Sequence, residues 1–127
     1  YTQAYEAKVF KSHFMRKRPY LTDTSITTCV EHEEGGDYAS YPSGHATMGY
    51  AMGIILANLI PEQSAEIMDR AKLYAENRLL CGAHHRSDIV AGQVLGSLVA
   101  VQLMENSAFQ KMMQSSREEL QSAGLAH

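Results

Sequence analysis

The sequence predicts an all-α domain, and three observations carry that prediction. Long segments of helix-forming composition are separated by short breaks at Pro and Gly, strand-type alternation is weak throughout, and two apolar runs read as buried core helices. The 127 residues suffice for one domain with a real core and are too few to expect two, so residues 1–127 are taken as a single domain.

Each element follows from its local chemistry. Residues 2–17 hold Ala, Lys, Glu, Phe and Met without Gly or Pro, and predict a helix ending before Pro19, because a residue preceding proline is pushed out of the α region. From Tyr20 to Tyr41 the composition shifts to Thr, Ser, Asp and Gly, which predicts a loop long enough to imply a purpose. Ser43 is a natural N-cap for a helix over about 44–59. Pro61 ends it and starts the next, about 62–80, with Glu62, Glu66 and Asp69 near its start and Lys72 and Arg78 near its end, matching the helix dipole. Cys81-Gly82-Ala83 breaks the pattern, after which helices are expected over about 85–104 and 107–122.

Bulk properties exclude several classes. A net charge of −3 with dispersed basic residues argues against a nucleic-acid partner. The apolar runs 46–60 and 89–104 fall short of the roughly 20 residues of a bilayer crossing and carry Gly and polar residues, so no membrane insertion is expected. The chain opens on Tyr1 within a helix-like segment, so it reads as a processed or truncated product. Cys29 and Cys81 allow one disulfide, and pairing and two buried thiols stay equally open.

Three segments carry chemistry. Lys11 and Arg18 stand seven residues apart, two helical turns, which places both cations on one face of the first helix. Pro42-Ser43-Gly44-His45 opens a helix whose free N–H groups point at any bound anion; the Ser43 hydroxyl adds a donor and Gly44 permits close approach. Arg78 closes one helix, His84 opens another, and Asp88 lies one turn further on, where a carboxylate fixes the tautomer of the imidazole. Alone, each has an ordinary explanation: a solvated basic face, a plain N-cap, a surface His–Asp pair. Together they describe a phosphate site with a nucleophile.

These residues also resemble a known family. Lys11-x6-Arg18-Pro19, Pro42-Ser43-Gly44-His45 and Asn77-Arg78-x5-His84-x3-Asp88 are similar to the three-part signature of the type 2 phosphatidic acid phosphatase and vanadium haloperoxidase superfamily, nearest the bacterial class A non-specific acid phosphatases. The likeness extends to His13-Phe14-Met15-Arg16, 41–50, Cys81-Gly82-Ala83-His84 and Ser107-Ala108-Phe109-Gln110. Asn77 stands where the family usually has Ser, a change expected to matter little. Class A enzymes are longer, so the resemblance implies the C-terminal part of a helical bundle whose N-terminal helices are missing, with part of its core left exposed.

The resemblance implies roles. His84 attacks phosphorus to form a phosphohistidine, Asp88 orients it, Lys11, Arg18 and Arg78 with Ser43 and Gly44 hold the phosphate oxygens, and His45 protonates the leaving alkoxide. It implies an acid phosphatase without metal or other cofactor, acting on small phosphate esters, with nucleoside di- and triphosphates as a further substrate class, inhibited by vanadate, and periplasmic or secreted. An imidazole of ordinary pKa, about 6.5, accounts for an acid optimum; Glu31, Glu33, Glu34 or Asp37 would raise that of His45 if their loop folds over the site, although a solvated loop is the plainer reading. No role is given to His13, His32, His85 or His127. A homo-oligomer stays open. The alternatives are a vanadate-dependent haloperoxidase, a helical module binding metal through His45, His84 and Asp88, and an inactive fragment.

Overall fold

In the computed structural model, which describes residues 2–31 and 35–127, every regular element among the described residues is a helix. They are α1 (Thr2–Phe14), α2 (Pro19–Thr22), α3 (Gly44–Leu59), α4 (Ser64–Leu80), α5 (Arg86–Glu105) and α6 (Ser107–Ser122), with a 3-10 turn at Pro61–Gln63. The expectations about His32, Glu33 and Glu34 lie outside the described residues.

Two boundaries depart from the sequence reading in ways that matter. The first helix stops at Phe14 rather than near residue 17, because Met15 adopts a left-handed φ of 48° while its N–H still bonds the Lys11 carbonyl at 3.0 Å. Arg18 therefore lies outside α1, and the shared helical face expected for Lys11 and Arg18 does not exist. The long loop also contains one helical turn, α2, whose first residue is Pro19, where a fixed φ and a missing N–H cost nothing.

The remaining ends follow from capping. Ser43 caps α3, its hydroxyl accepting the Ala46 N–H at 3.2 Å. Asn106 caps α6 through Phe109 N–H at 3.1 Å. Helix α4 ends at Cys81, and Gly82 turns the chain with φ +67°, where a Cβ would lie 2.8 Å from Ile26 Cγ2 and 3.1 Å from the Thr27 carbonyl. Here Cys29 and Cys81 are joined by a disulfide, with Cα atoms 5.0 Å apart. The Cys29 N–H also bonds the Cys81 carbonyl at 3.1 Å, so loop and helix end are pinned together twice.

Helices α3 and α5 form the main packed pair, with α4 on another side of α3 and α1 laid across both. Ala46, Ala75 and Ile89 form the buried centre, with Tyr50 against it. Gly92 and Gly96 of α5 face the α3 backbone so tightly that a Cβ would sit 2.6 Å from the Ser43 carbonyl and 2.3 Å from the Thr47 carbonyl. This packing holds the start of α3 against the start of α5, where the signature residues lie.

At 20 residues, α5 is longer than the apolar run delimited in the sequence, and its mean hydropathy of 1.4 is that of a candidate membrane span. The length argument against a span therefore fails for this helix. Its packing does speak for a core helix, since Ile89 and Ala100 are fully buried and both glycines meet α3. Its other face exposes Val90, Val94 and Leu98, which with Phe10, Phe14 and Tyr41 line a groove of about 1000 Å³ between α1 and α5.

Candidate active site

The signature residues converge from five segments. Lys11 enters from the last turn of α1, Arg18 from the turn before α2, Ser43, Gly44 and His45 from the start of α3, Arg78 from the last turn of α4, and His84 and Asp88 from the junction into α5. Arg18, His45 and Arg78 line one cavity of about 370 Å³, together with Tyr20, Val30, Glu31 and Gly36. The larger grooves on the molecule are mostly apolar and contain none of the predicted residues.

His84 is 3% exposed and is held directly by Arg18, whose Nη1 lies 2.8 Å from His84 Nε2. A guanidinium can only donate, so Nε2 accepts through its lone pair and the ring proton resides on Nδ1. The same Arg18 nitrogen donates to the Ala83 carbonyl at 2.9 Å, and Arg18 Nε to the Gly36 carbonyl at 3.1 Å. Burial, reinforced by the charges of Arg18 and Lys11 and partly offset by Asp88, pushes the His84 pKa down to about 4. The ring is thus neutral, with its lone pair toward the cations, across ordinary pH.

Asp88 is fully buried, and it differs from the sequence reading in one respect. His84 is not the first residue of the helix; α5 starts at Arg86 and His85 is its N-cap, so the His84–Asp88 relation is not a helical i,i+4 pair. Nδ1 of His84 lies 3.4 Å from Asp88 Oδ2, a close electrostatic contact in which the buried Nδ1 has no hydrogen-bond partner. Asp88 instead accepts the His85 N–H at 2.8 Å and the Ser40 hydroxyl at 2.5 Å on Oδ2, and Arg16 Nη1 at 2.8 Å on Oδ1. Burial alone would raise its pKa; the neighbouring His84 ring, these hydrogen bonds and Arg16 outweigh it and bring it to about 2.

The other predicted residues take defined places. Lys11 donates to the Ala39 carbonyl, and its Cε would meet a Cβ at Gly44 at 3.8 Å, so its stem runs beside the helix start. The buried Ser43 hydroxyl oxygen accepts the Ala46 N–H, as a cap, which leaves its own proton to donate, while the Ser43 N–H bonds the Asp88 carbonyl at 3.0 Å. His45 is exposed, tilted against Tyr74 with ring centroids 6.0 Å apart. Arg78 Nε is buried with no hydrogen-bond partner, and Asn77 is exposed. Among the described residues no three His, Cys, Asp or Glu side chains gather as a metal site, so His45, His84 and Asp88 do not form a zinc donor set.

Sequence reasoning passed over Arg16, Ser40, Tyr20, Val30 and Gly36 and gave His85 no role; Glu31, for which a solvated loop was the plainer reading, lines the cavity with His45. Arg16 sits in the string Arg16-Lys17-Arg18, where nothing local separates a buried-carboxylate partner from a solvated cation. Ser40 is one polar residue in a polar loop.

Comparison with known proteins shows the family. Residues 2–111 match the PAP2 superfamily. The chain is 40% identical to an acid phosphatase of Zymomonas mobilis over 89% of its own length and 43% of the relative's. It is 35% identical to a non-specific acid phosphatase of Salmonella typhimurium over 87% of this chain and 44% of that one, and 32% identical to one of Providencia stuartii over 86% and 44%. The chain thus spans less than half the length of these relatives. With its three signature segments brought to one end of a helical domain, and a family match running through nearly all of it, the chain belongs to the PAP2 superfamily.

Proposed function

We propose that the chain carries the catalytic centre of an acid phosphatase, hydrolysing small phosphomonoesters through a phosphohistidine at His84. The observation that carries this reading is the Arg18 Nη1 to His84 Nε2 contact at 2.8 Å, beside a cavity that Arg78 and His45 also line. A buried neutral imidazole with its lone pair among cations is a nucleophile suited to an anionic ester.

In this reading a phosphate oxygen replaces Nε2 as an acceptor of Arg18, and Arg78 and Lys11 neutralise the other non-bridging oxygens. The Ser43 hydroxyl and the Gly44 N–H supply further donors. Nε2 forms a bond to phosphorus as the ester P–O bond breaks, and His45 gives its proton to the departing alkoxide. His45 then takes a proton from water, the water oxygen bonds phosphorus, and the N–P bond breaks to free phosphate. Catalysis rests on fixed positive charge at the oxygens, the term that dominates phosphoryl transfer, so no step calls for a metal ion.

Nucleoside di- and triphosphates present the same terminal group and are included as substrates. An exported location, periplasmic or secreted, fits the Cys29–Cys81 disulfide, which persists in oxidising compartments. The relatives bearing the name acid phosphatase favour this activity over a haloperoxidase.

The test is p-nitrophenyl phosphate hydrolysis at about pH 5–6 in excess EDTA, with acid-quench trapping of phosphoenzyme. Turnover that survives the chelator and disappears with phosphoenzyme in His84→Ala is expected. Turnover abolished by EDTA, or retained by His84→Ala, overturns the mechanism; peroxidase activity on adding vanadate, without hydrolysis, would favour the haloperoxidase.

A further inference from the structure

We propose that Arg16 and Ser40 are positioning residues of the reaction, clamping the Asp88 carboxylate and through it fixing the orientation and tautomer of His84. Both oxygens of this buried carboxylate are engaged, Oδ1 by Arg16 Nη1 at 2.8 Å and Oδ2 by Ser40 Oγ at 2.5 Å and His85 N–H at 2.8 Å. The clamp is closed on itself, because the Ser40 N–H donates to the Arg16 carbonyl at 3.1 Å. Arg16 comes from the segment after α1, Ser40 from the segment before α3, and Asp88 from the first turn of α5. Three stretches of chain therefore meet on one carboxylate, which cannot rotate without breaking a bond to each.

The arrangement has a chemical consequence. Three donors already occupy the carboxylate before the His84 ring approaches, and the remaining gap to Nδ1 is 3.4 Å. An oxygen pair so fully hydrogen-bonded is a poor base, so the ring proton stays on Nδ1 and the lone pair stays on Nε2, facing Arg18. When Nε2 bonds to phosphorus, the ring gains positive charge, and the fixed carboxylate compensates it without a proton moving. The other charges acting on this pair are Arg18 and Lys11, which bear on the His84 ring. Arg16 differs from the phosphate-holding cations in what it touches: its guanidinium is paired with the buried Asp88 carboxylate.

The kinetic part of this proposal rests on the phosphatase reading; the ring tautomer does not. The experiment follows the His84 ring nitrogens by long-range ¹H–¹⁵N NMR through an acid titration, alongside steady-state hydrolysis, in the full chain and in Arg16→Met, Arg16→Lys and Ser40→Ala. Wild type is expected to show the Nδ1–H tautomer. Arg16→Met should give mixed tautomers, a His84 titration moved up toward that of ordinary imidazole, and kcat down by about 10- to 100-fold with KM nearly unchanged, as for other partners of a catalytic ligand. Arg16→Lys should recover most of both.

A folded Arg16→Met with wild-type tautomer and kcat overturns the clamp, as does a rise in KM with kcat retained, which would make Arg16 a substrate contact. Should Arg16→Met not fold, Ser40→Ala keeps the Arg16 pair and is judged by the same two readouts. If wild type hydrolyses no ester yet the tautomer shifts in the variants, the clamp stands and the phosphatase reading falls.

Discussion

Gly96→Ala tests how the fold builds the site. A Cβ at Gly96 would lie 2.3 Å from the Thr47 carbonyl oxygen and 3.1 Å from both the Thr47 carbonyl carbon and the Ala51 nitrogen. All three are α3 backbone and cannot rotate away. Relief requires α3 and α5 to part by roughly 0.7 Å or more before the contact becomes tolerable. Overpacking of this kind costs about 1–3 kcal/mol, against which Ala returns about 1 kcal/mol of helix propensity. The net loss, up to about 2 kcal/mol, should lower Tm by as much as several degrees in a domain of this size.

Activity should suffer more than stability. Thr47 is one turn beyond Ser43, whose N–H is tied to the Asp88 carbonyl, so parting the helices separates the start of α3 from His84. A displacement approaching 1 Å at a reacting centre costs on the order of 10²-fold in rate. Gly49→Ala is the internal control. There the Cβ would meet Tyr74 Cδ1 at 2.8 Å, a side-chain ring able to shift, so the same gain in propensity should leave Tm nearly unchanged. The assay is thermal melting with p-nitrophenyl phosphate kinetics on both variants. A Gly96→Ala protein that melts no lower than Gly49→Ala and turns over at the wild-type rate refutes the packing argument.

Three other outcomes are expected. The pKa of His84 is about 4 in the fold against an ordinary 6.5, so between these values the unfolded chain binds a proton that the folded chain refuses. Stability should therefore fall by up to about 3 kcal/mol as pH drops from 6.5 to 4, and fall further as pH drops from 3.8 through about 2 and Asp88 protonates. Melts of wild type and His84→Gln across this range check it, and an unchanged pH dependence in the variant would exclude His84 as the source. Reducing the Cys29–Cys81 disulfide, which spans 52 residues of sequence, should cost about 4 kcal/mol by loop entropy and loosen the cavity wall at Val30 and Glu31; an unshifted melt in reductant contradicts this. Orthovanadate, resembling five-coordinate phosphorus, should compete with substrate, and indifference to it would mean that the cations do not act on one anion.

Local chemistry explains why much of the fold was legible. Ser43, Pro61 and Gly82 each impose a boundary through their own side chain or lack of one, and the helices around them fall where expected. The end of α1 was not legible, because Met15 has no intrinsic reason to take a left-handed φ, and Arg18 consequently leaves the helix. His84, expected to open the next helix, instead precedes its cap, His85.

The sequence by itself determined the helical class and the identities and order of the signature residues, since residue type and spacing are linear properties. Tertiary structure decided what each does next to the others. It set the buried neutral state of His84, the partners of Asp88, and the separation of α3 from α5. Those depend on residues brought together from positions as far apart as Arg16, Ser40 and Asp88, and desolvation and hydrogen-bond competition exist only once the chain has folded around them.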